Sequence, residues 1–133
     1  MEGISSGNAL ALWTGLHLIL LLVLSLLVVR QRQKHKIAFG DEGVPELAQS
    51  VRAFGNATEY VPAALIGLAA LAIAGAPPLA IHLAGVTLFL GRVVHAFGLS
   101  TSGGTSFARA IGIVLTWAAY VFLAAALLFY ALP

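Results

Sequence analysis

Residues 9–29 read ALALWTGLHLILLLVLSLLVV, and the next seven read RQRQKHK. No charged side chain interrupts the first run, and the second is basic throughout its length. A helix crossing a hydrocarbon core of roughly 30 Å needs about 20 apolar residues, which this run supplies. The residues ahead of it carry Glu2 and no Lys or Arg. A cleavable signal has a basic start and an apolar core of about 7–15 residues, so the segment reads as a retained spanning helix. Its expected limits are residues 8–30.

The rest of the chain repeats the theme. Of its 133 residues 60% are hydrophobic and 9% charged, with a mean hydropathy of +0.98. Soluble domains carry about 25% charged residues, so lipid must solvate most of this surface. The formal charge of +2 is too small to argue for nucleic acid, and the absence of cysteine excludes disulfides, thiolate metal sites and cysteine nucleophiles.

Between Glu59 and Arg92 there is no charged residue, only a break at Gly75-Ala76-Pro77-Pro78 that stops one helix and starts another. Each apolar half is too short to span alone. Both helices must therefore continue into polar sequence and carry Asn56, Glu59, Arg92 and His95 to membrane depth. Pro45 and Glu46 suit a helix first turn. The loop Ser100–Ser106 separates the last helix, uncharged after Arg109. The expected architecture is all-α: one domain over residues 1–133, a four-helix membrane bundle with helices at 8–30, 46–74, 78–99 and 107–132.

Four spans put Arg30, Arg32, Lys34, Lys36, Arg52, Arg92 and Arg109 at or near one side. The bias of basic residues makes that side cytoplasmic. The first and third loops are then cytoplasmic, and both termini and the Gly75–Pro78 turn external.

Arg52, Asn56, Glu59 and Tyr60 fall on one face of the second helix, as do Arg92 and His95 on the third. Ionisable groups inside a membrane segment are costly and point to function. The plainer reading is an Arg–Glu pair that fixes helix packing. Counted from Ala76, Glu59 and Arg92 both lie about 24–26 Å deep, so they are expected to meet or to share a polar ligand. Ala63 with Gly67, and Ala70 with Ala74, are small pairs four apart that permit close helix approach. They fit a tight bundle or an oligomer equally. His17 and His82 are expected to bond to neighbouring helices. No histidine spacing argues for a metal, and Ser100–Ser106 lacks the lysine of a phosphate loop.

The segment Glu46 to Pro62 contains Arg52-Ala53, Asn56, Glu59-Tyr60 and Pro62. This pattern resembles the helix-two signature of the MAPEG family, membrane-associated proteins in eicosanoid and glutathione metabolism, and is most similar to its short bacterial branch. The resemblance implies a homotrimer in a bacterial inner membrane, binding glutathione between subunits near the cytoplasmic face. On it, Arg52, Asn56, Glu59 and Tyr60 resemble glutathione contacts, Arg30 a further one, and His95 joins the expected binding residues. Family members with eicosanoid or transferase activity have tyrosines on helix three and an arginine near the start of helix four that stabilises the thiolate. Here His95 and Leu99 occupy the former stretch, and Arg109 or Arg92 takes the latter role. The implied function is a glutathione transferase or peroxidase acting on an apolar small molecule drawn from the membrane lipids. The alternative is a non-catalytic protein holding a lipid or amphipathic anion in the same clefts. A transporter is disfavoured by the absence of broken helices and inverted repeats.

Single cysteines introduced at Gln33, Pro78 and Gly103 test the topology. In intact cells an impermeant thiol reagent is expected to label only position 78, and labelling at 33 overturns the assignment.

Overall fold

A computed structural model describes residues 5–132, which form four helices: α1 (Ser6–His35), α2 (Pro45–Ile73), α3 (Pro78–Thr101) and α4 (Phe107–Ala131). All four are long and apolar enough to cross a membrane, and the described residues contain no strand. The chain ends expected to be external, Met1–Ile4 and Pro133, lie outside the described residues.

Local chemistry sets each boundary. The Ser5 side chain accepts from the Asn8 N–H and opens α1. Pro45 and Pro78 stand at the first turns of α2 and α3, where a missing N–H costs nothing. The Ser106 hydroxyl accepts from the Arg109 N–H and opens α4. α1 runs five residues beyond its expected end. The basic stretch is therefore helical rather than a loop, and Arg32, Lys34 and His35 lie in a last turn whose dipole favours cations. It ends at Lys36 in the left-handed conformation (φ 58°). The Arg32 guanidinium donates to the Ala38 and Gly40 carbonyls at 3.2 and 3.0 Å and folds the loop back.

α2 and α3 each touch all three other helices, while α1 and α4 stand on opposite edges and do not meet. The Ser6 hydroxyl donates to the Ala76 carbonyl at 2.6 Å, fastening the start of α1 to the α2–α3 turn. At the other end Gln49 of α2 lies beside Gly103 of the α3–α4 loop. Two apolar clusters fill the bundle. One, near the α2–α3 turn, contains Leu68, Leu71, Ile81, Leu88 and Leu123. The other, toward the opposite end, joins Leu24, Ala53, Ala57, Ala96 and Leu99. Between them lies a buried polar belt of His17, Arg92 and Thr116.

α3 and α4 approach one another backbone to backbone. A Cβ placed on Gly112 would lie 2.5 Å from the His95 backbone nitrogen, and one on Gly91 3.0 Å from the Gly112 carbonyl. Backbone cannot yield there as a flexible side chain does. Without a hydrophobic drive between helices in lipid, such close packing supplies much of the attraction. The small residues of α2 behave differently. Ala63 and Ala70 point away from the bundle, whereas Gly67 packs on Leu123.

Replacing Gly112 with leucine is expected to overpack this crossing and cost roughly 1–3 kcal/mol. Gly15→Leu, where a Cβ meets nothing within 4 Å, is the control. Thermal unfolding in detergent should separate the two variants, and equal midpoints would contradict the packing.

Candidate functional site

The polar belt is organised by Arg92. It is 1% exposed, although its side chain is the most polar in α3. Its Nε donates to Thr116 Oγ1 at 2.9 Å and its Nη1 to Asn56 Oδ1 at 2.6 Å. Thr116 in turn donates to the Gly112 carbonyl at 2.8 Å. The guanidinium carbon sits 5.0 Å from the centre of the Tyr60 ring, within cation–π range. Tyr60 meets the Tyr120 ring edge-on at 5.8 Å, and the Tyr120 hydroxyl donates to the Tyr60 carbonyl at 2.6 Å. One guanidinium thus ties α2, α3 and α4 together.

Of the two expected outcomes for Glu59 and Arg92, a direct contact is the one this arrangement corrects. Asn56 takes the place assigned to Glu59, and Glu59 is exposed. Equal depth fixed the level of the two residues but not their direction. A step of three residues turns a helical side chain about 60° short of a full revolution, which carries Glu59 off the face that Asn56 shares with the bundle interior.

Two open clefts flank the belt on the side of the α3–α4 loop. The first, of about 280 Å³, is lined by Gln49, Arg52, Leu99, Ser102, Gly103 and Arg109 among others. The second, of about 340 Å³, is lined by Asn56, Tyr60, His95, Ser106, Arg109 and Ile113 among others. Arg109 lines both. Its guanidinium donates to the Gly104 carbonyl, which holds it beside the loop. His95 is buried, with its backbone against Gly112.

Of the residues singled out in the sequence, Arg52, Asn56, Tyr60, His95 and Arg109 line one or both clefts. Arg92 lies beneath, its side chain in contact with the Asn56 of the second cleft. Arg30 and Glu59 are exposed and line neither. The helix-two signature is therefore split. Asn56 and Tyr60 turn inward, while Arg52 and Glu59 share an outward stripe with Ala63 and Ala70. Thr116 and Tyr120 complete the network and were not expected there. Thr116 is the sole hydroxyl-bearing aliphatic side chain of α4, a signal that an apolar helix gives it work to do. His82 accepts from the Trp13 indole at 3.1 Å, a bond between α3 and α1 as expected. His17 instead bonds within its own helix, to the Trp13 carbonyl at 2.6 Å.

The chain matches the MAPEG family over residues 10–129. It belongs to that family. It is 34% identical to the inner membrane protein YecN of Escherichia coli (strain K12) over 120 residues, covering 90% of each chain. The same identity and coverage hold for YecN of Escherichia coli O6:H1. This is accordingly a MAPEG membrane protein, and its clefts are built on the helix-two signature.

Asn56→Leu is expected to strand a buried guanidinium N–H and cost about 1–3 kcal/mol. In ligand-free protein, a double-mutant cycle of Asn56→Leu with Arg92→Leu should show strong coupling in thermal stability. The Glu59→Gln and Arg92→Leu pair should be additive, since the two side chains make no contact.

Proposed function

We propose that the protein is a homotrimeric, glutathione-binding enzyme of the bacterial inner membrane, joining glutathione to apolar electrophiles or reducing lipid peroxides. The observation that carries this reading is the pair of clefts sharing Arg109. One is bordered by Arg52 and Arg109 with Gln49 and Ser102 among apolar neighbours, and the other runs from Asn56 and His95 to the apolar Ile113. A tripeptide with two carboxylates fits the first kind of surface, because guanidinium holds carboxylate bidentately. An apolar partner fits the second.

In this reading Arg52 anchors a carboxylate and Arg109, between the clefts, lowers the pKa of the thiol by stabilising the thiolate. The thiol gives its proton to water, the sulfur forms a bond to the electrophilic carbon, and the leaving group departs with the electron pair. With a peroxide the thiolate attacks the O–O bond, the alcohol leaves, and a second glutathione thiol closes the disulfide and releases water. Arg92 acts behind the site by fixing Asn56 and Tyr60. In the same reading Glu59 and Arg30, both exposed on the protomer, contact ligand held by a neighbouring subunit, with Glu59 accepting from the glutathione amino group. The orientation follows the basic residues, with the clefts cytoplasmic and the α2–α3 turn external. The second reading, a non-catalytic site for a lipid or amphipathic anion, draws on the absence of a tyrosine in α3.

Calorimetry of purified protein with glutathione, followed by a chromogenic-electrophile assay, tests this. Arg52→Ala is expected to weaken binding about tenfold, the loss of one charge-assisted bond. Binding without turnover favours the second reading, and no binding overturns the first. Native mass spectrometry should show a trimer, and a stable monomer that still binds would rule out sites between subunits.

A further inference from the structure

Asn56 presents its amide to the second cleft with a fixed polarity, and Arg92 does the fixing. A guanidinium carries N–H groups and no acceptor, so the Asn56 atom 2.6 Å from Arg92 Nη1 is the carbonyl oxygen. With Oδ1 committed behind the site, only Nδ2 is left to meet a ligand, and Nδ2 can only donate. Among the described residues no acceptor bonds to it, and it is not one of the buried atoms left without a partner. It is therefore open to the cleft that Asn56 lines.

The rest of that cleft is adaptable, with one exception. The hydroxyls of Tyr60, Thr105 and Ser106 and the ring of His95 can each serve as donor or acceptor. Arg109 alone shares the constraint on Asn56, since its guanidinium only donates. Among the described residues that line the cleft there is no Asp or Glu. Two fixed donors, one of them cationic, favour a ligand atom that accepts and carries negative charge. A carboxylate meets both demands, and its charge-assisted bonds are about twice as strong as neutral ones. An ammonium group would meet two donors and no anion.

We propose that the second cleft binds a carboxylate on Asn56 Nδ2 and Arg109. Arg92 is the positioning residue that sets this specificity, by holding Asn56 as a donor. The carboxylate has two sources: glutathione itself, which rests on the glutathione reading above, or an acid head group on the apolar partner, which does not.

Asn56→Asp separates this specificity from packing. Aspartate keeps an oxygen for Arg92 and removes the donor from the cleft. In lipid nanodiscs its thermal midpoint is expected to match or exceed that of the unaltered protein, whereas Asn56→Leu falls below it. Binding is read by calorimetry, with empty nanodiscs subtracted, for two carboxylate probes. One is S-methylglutathione, which keeps both carboxylates and has no thiol, and the other is laurate, with dodecylamine as the control for its chain. A carboxylate held by Asn56 should lose roughly tenfold to a hundredfold in affinity in Asn56→Asp, the loss of one charge-assisted bond. Loss for S-methylglutathione places glutathione in the second cleft, and loss for laurate beyond that for dodecylamine places the partner's head group there.

The two readings fail separately. Laurate binding that depends on Asn56, with no binding of S-methylglutathione, supports the proposal and overturns the glutathione reading. Unchanged affinity of Asn56→Asp for both carboxylates overturns the proposal and leaves the glutathione reading standing if S-methylglutathione binds. Binding of neither probe overturns both. Should the variant fail to fold, the unaltered protein decides, because its asparagines are only Asn8 and Asn56. With asparagine labelled in ¹⁵N, the Asn56 Nδ2 resonance is expected to move on adding the carboxylate that binds, and an unmoved resonance overturns the proposal.

Discussion

A guanidinium at 1% exposure, in a bundle whose outside is lipid, constrains everything packed around it. Removing such a charge from water is costly unless its N–H groups find acceptors, and in lipid no bulk water supplies them. Asn56 from α2 and Thr116 from α4 are the acceptors for Arg92. Apolar helices in lipid have little reason to prefer one register, since lipid tails are as apolar as leucine. Directional bonds from one side chain to two neighbouring helices impose that preference. The two apolar clusters fill space above and below a level that Arg92 has set.

That constraint depends on backbone distance. Arg92 reaches the Thr116 hydroxyl because α3 and α4 cross with Gly91 and Gly112 in the gap. Larger residues there would push Thr116 away and leave Nε unpaired within apolar surroundings. Close packing and polar satisfaction are thus one device in this bundle. The same crossing brings the start of α4 against the end of α3, which is how Arg109 comes to line both clefts.

The helices were legible because charge is scarce. Runs without Asp, Glu, Lys or Arg, punctuated by Gly-Ala-Pro-Pro and by Ser100–Ser106, leave little freedom for their limits. The end of α1 was less legible, because a basic stretch reads as a loop by polarity yet suits a helix C-terminus by dipole. Depth was readable for Glu59 and Arg92, but direction was not. Periodicity places Arg52, Asn56, Glu59 and Tyr60 within one broad face, and only the neighbours decide where that face divides. The small residues divide in the same way. Spacing drew attention to Ala63 and Ala70, which point outward, while the glycines that seat α3 on α4 lie scattered among larger residues.

The division of the helix-two signature is itself informative about what surrounds it. Asn56 and Tyr60 are committed within the protomer, to Arg92 and Tyr120. Arg52 and Glu59 are not, and with Ala63 and Ala70 they make one exposed stripe along a spanning helix. A carboxylate facing hydrocarbon is costly, and charged residues in spanning segments almost always face protein or a water-filled cavity. Small residues on the same stripe allow another helix to come close. A neighbouring subunit laid against this face would cover Glu59 and wall the first cleft beside Arg52. The protomer alone gives two of the three Arg92 nitrogens an acceptor, and it leaves Glu59 to be satisfied from outside. That asymmetry is why the proposed ligand site is drawn between subunits and not inside one bundle.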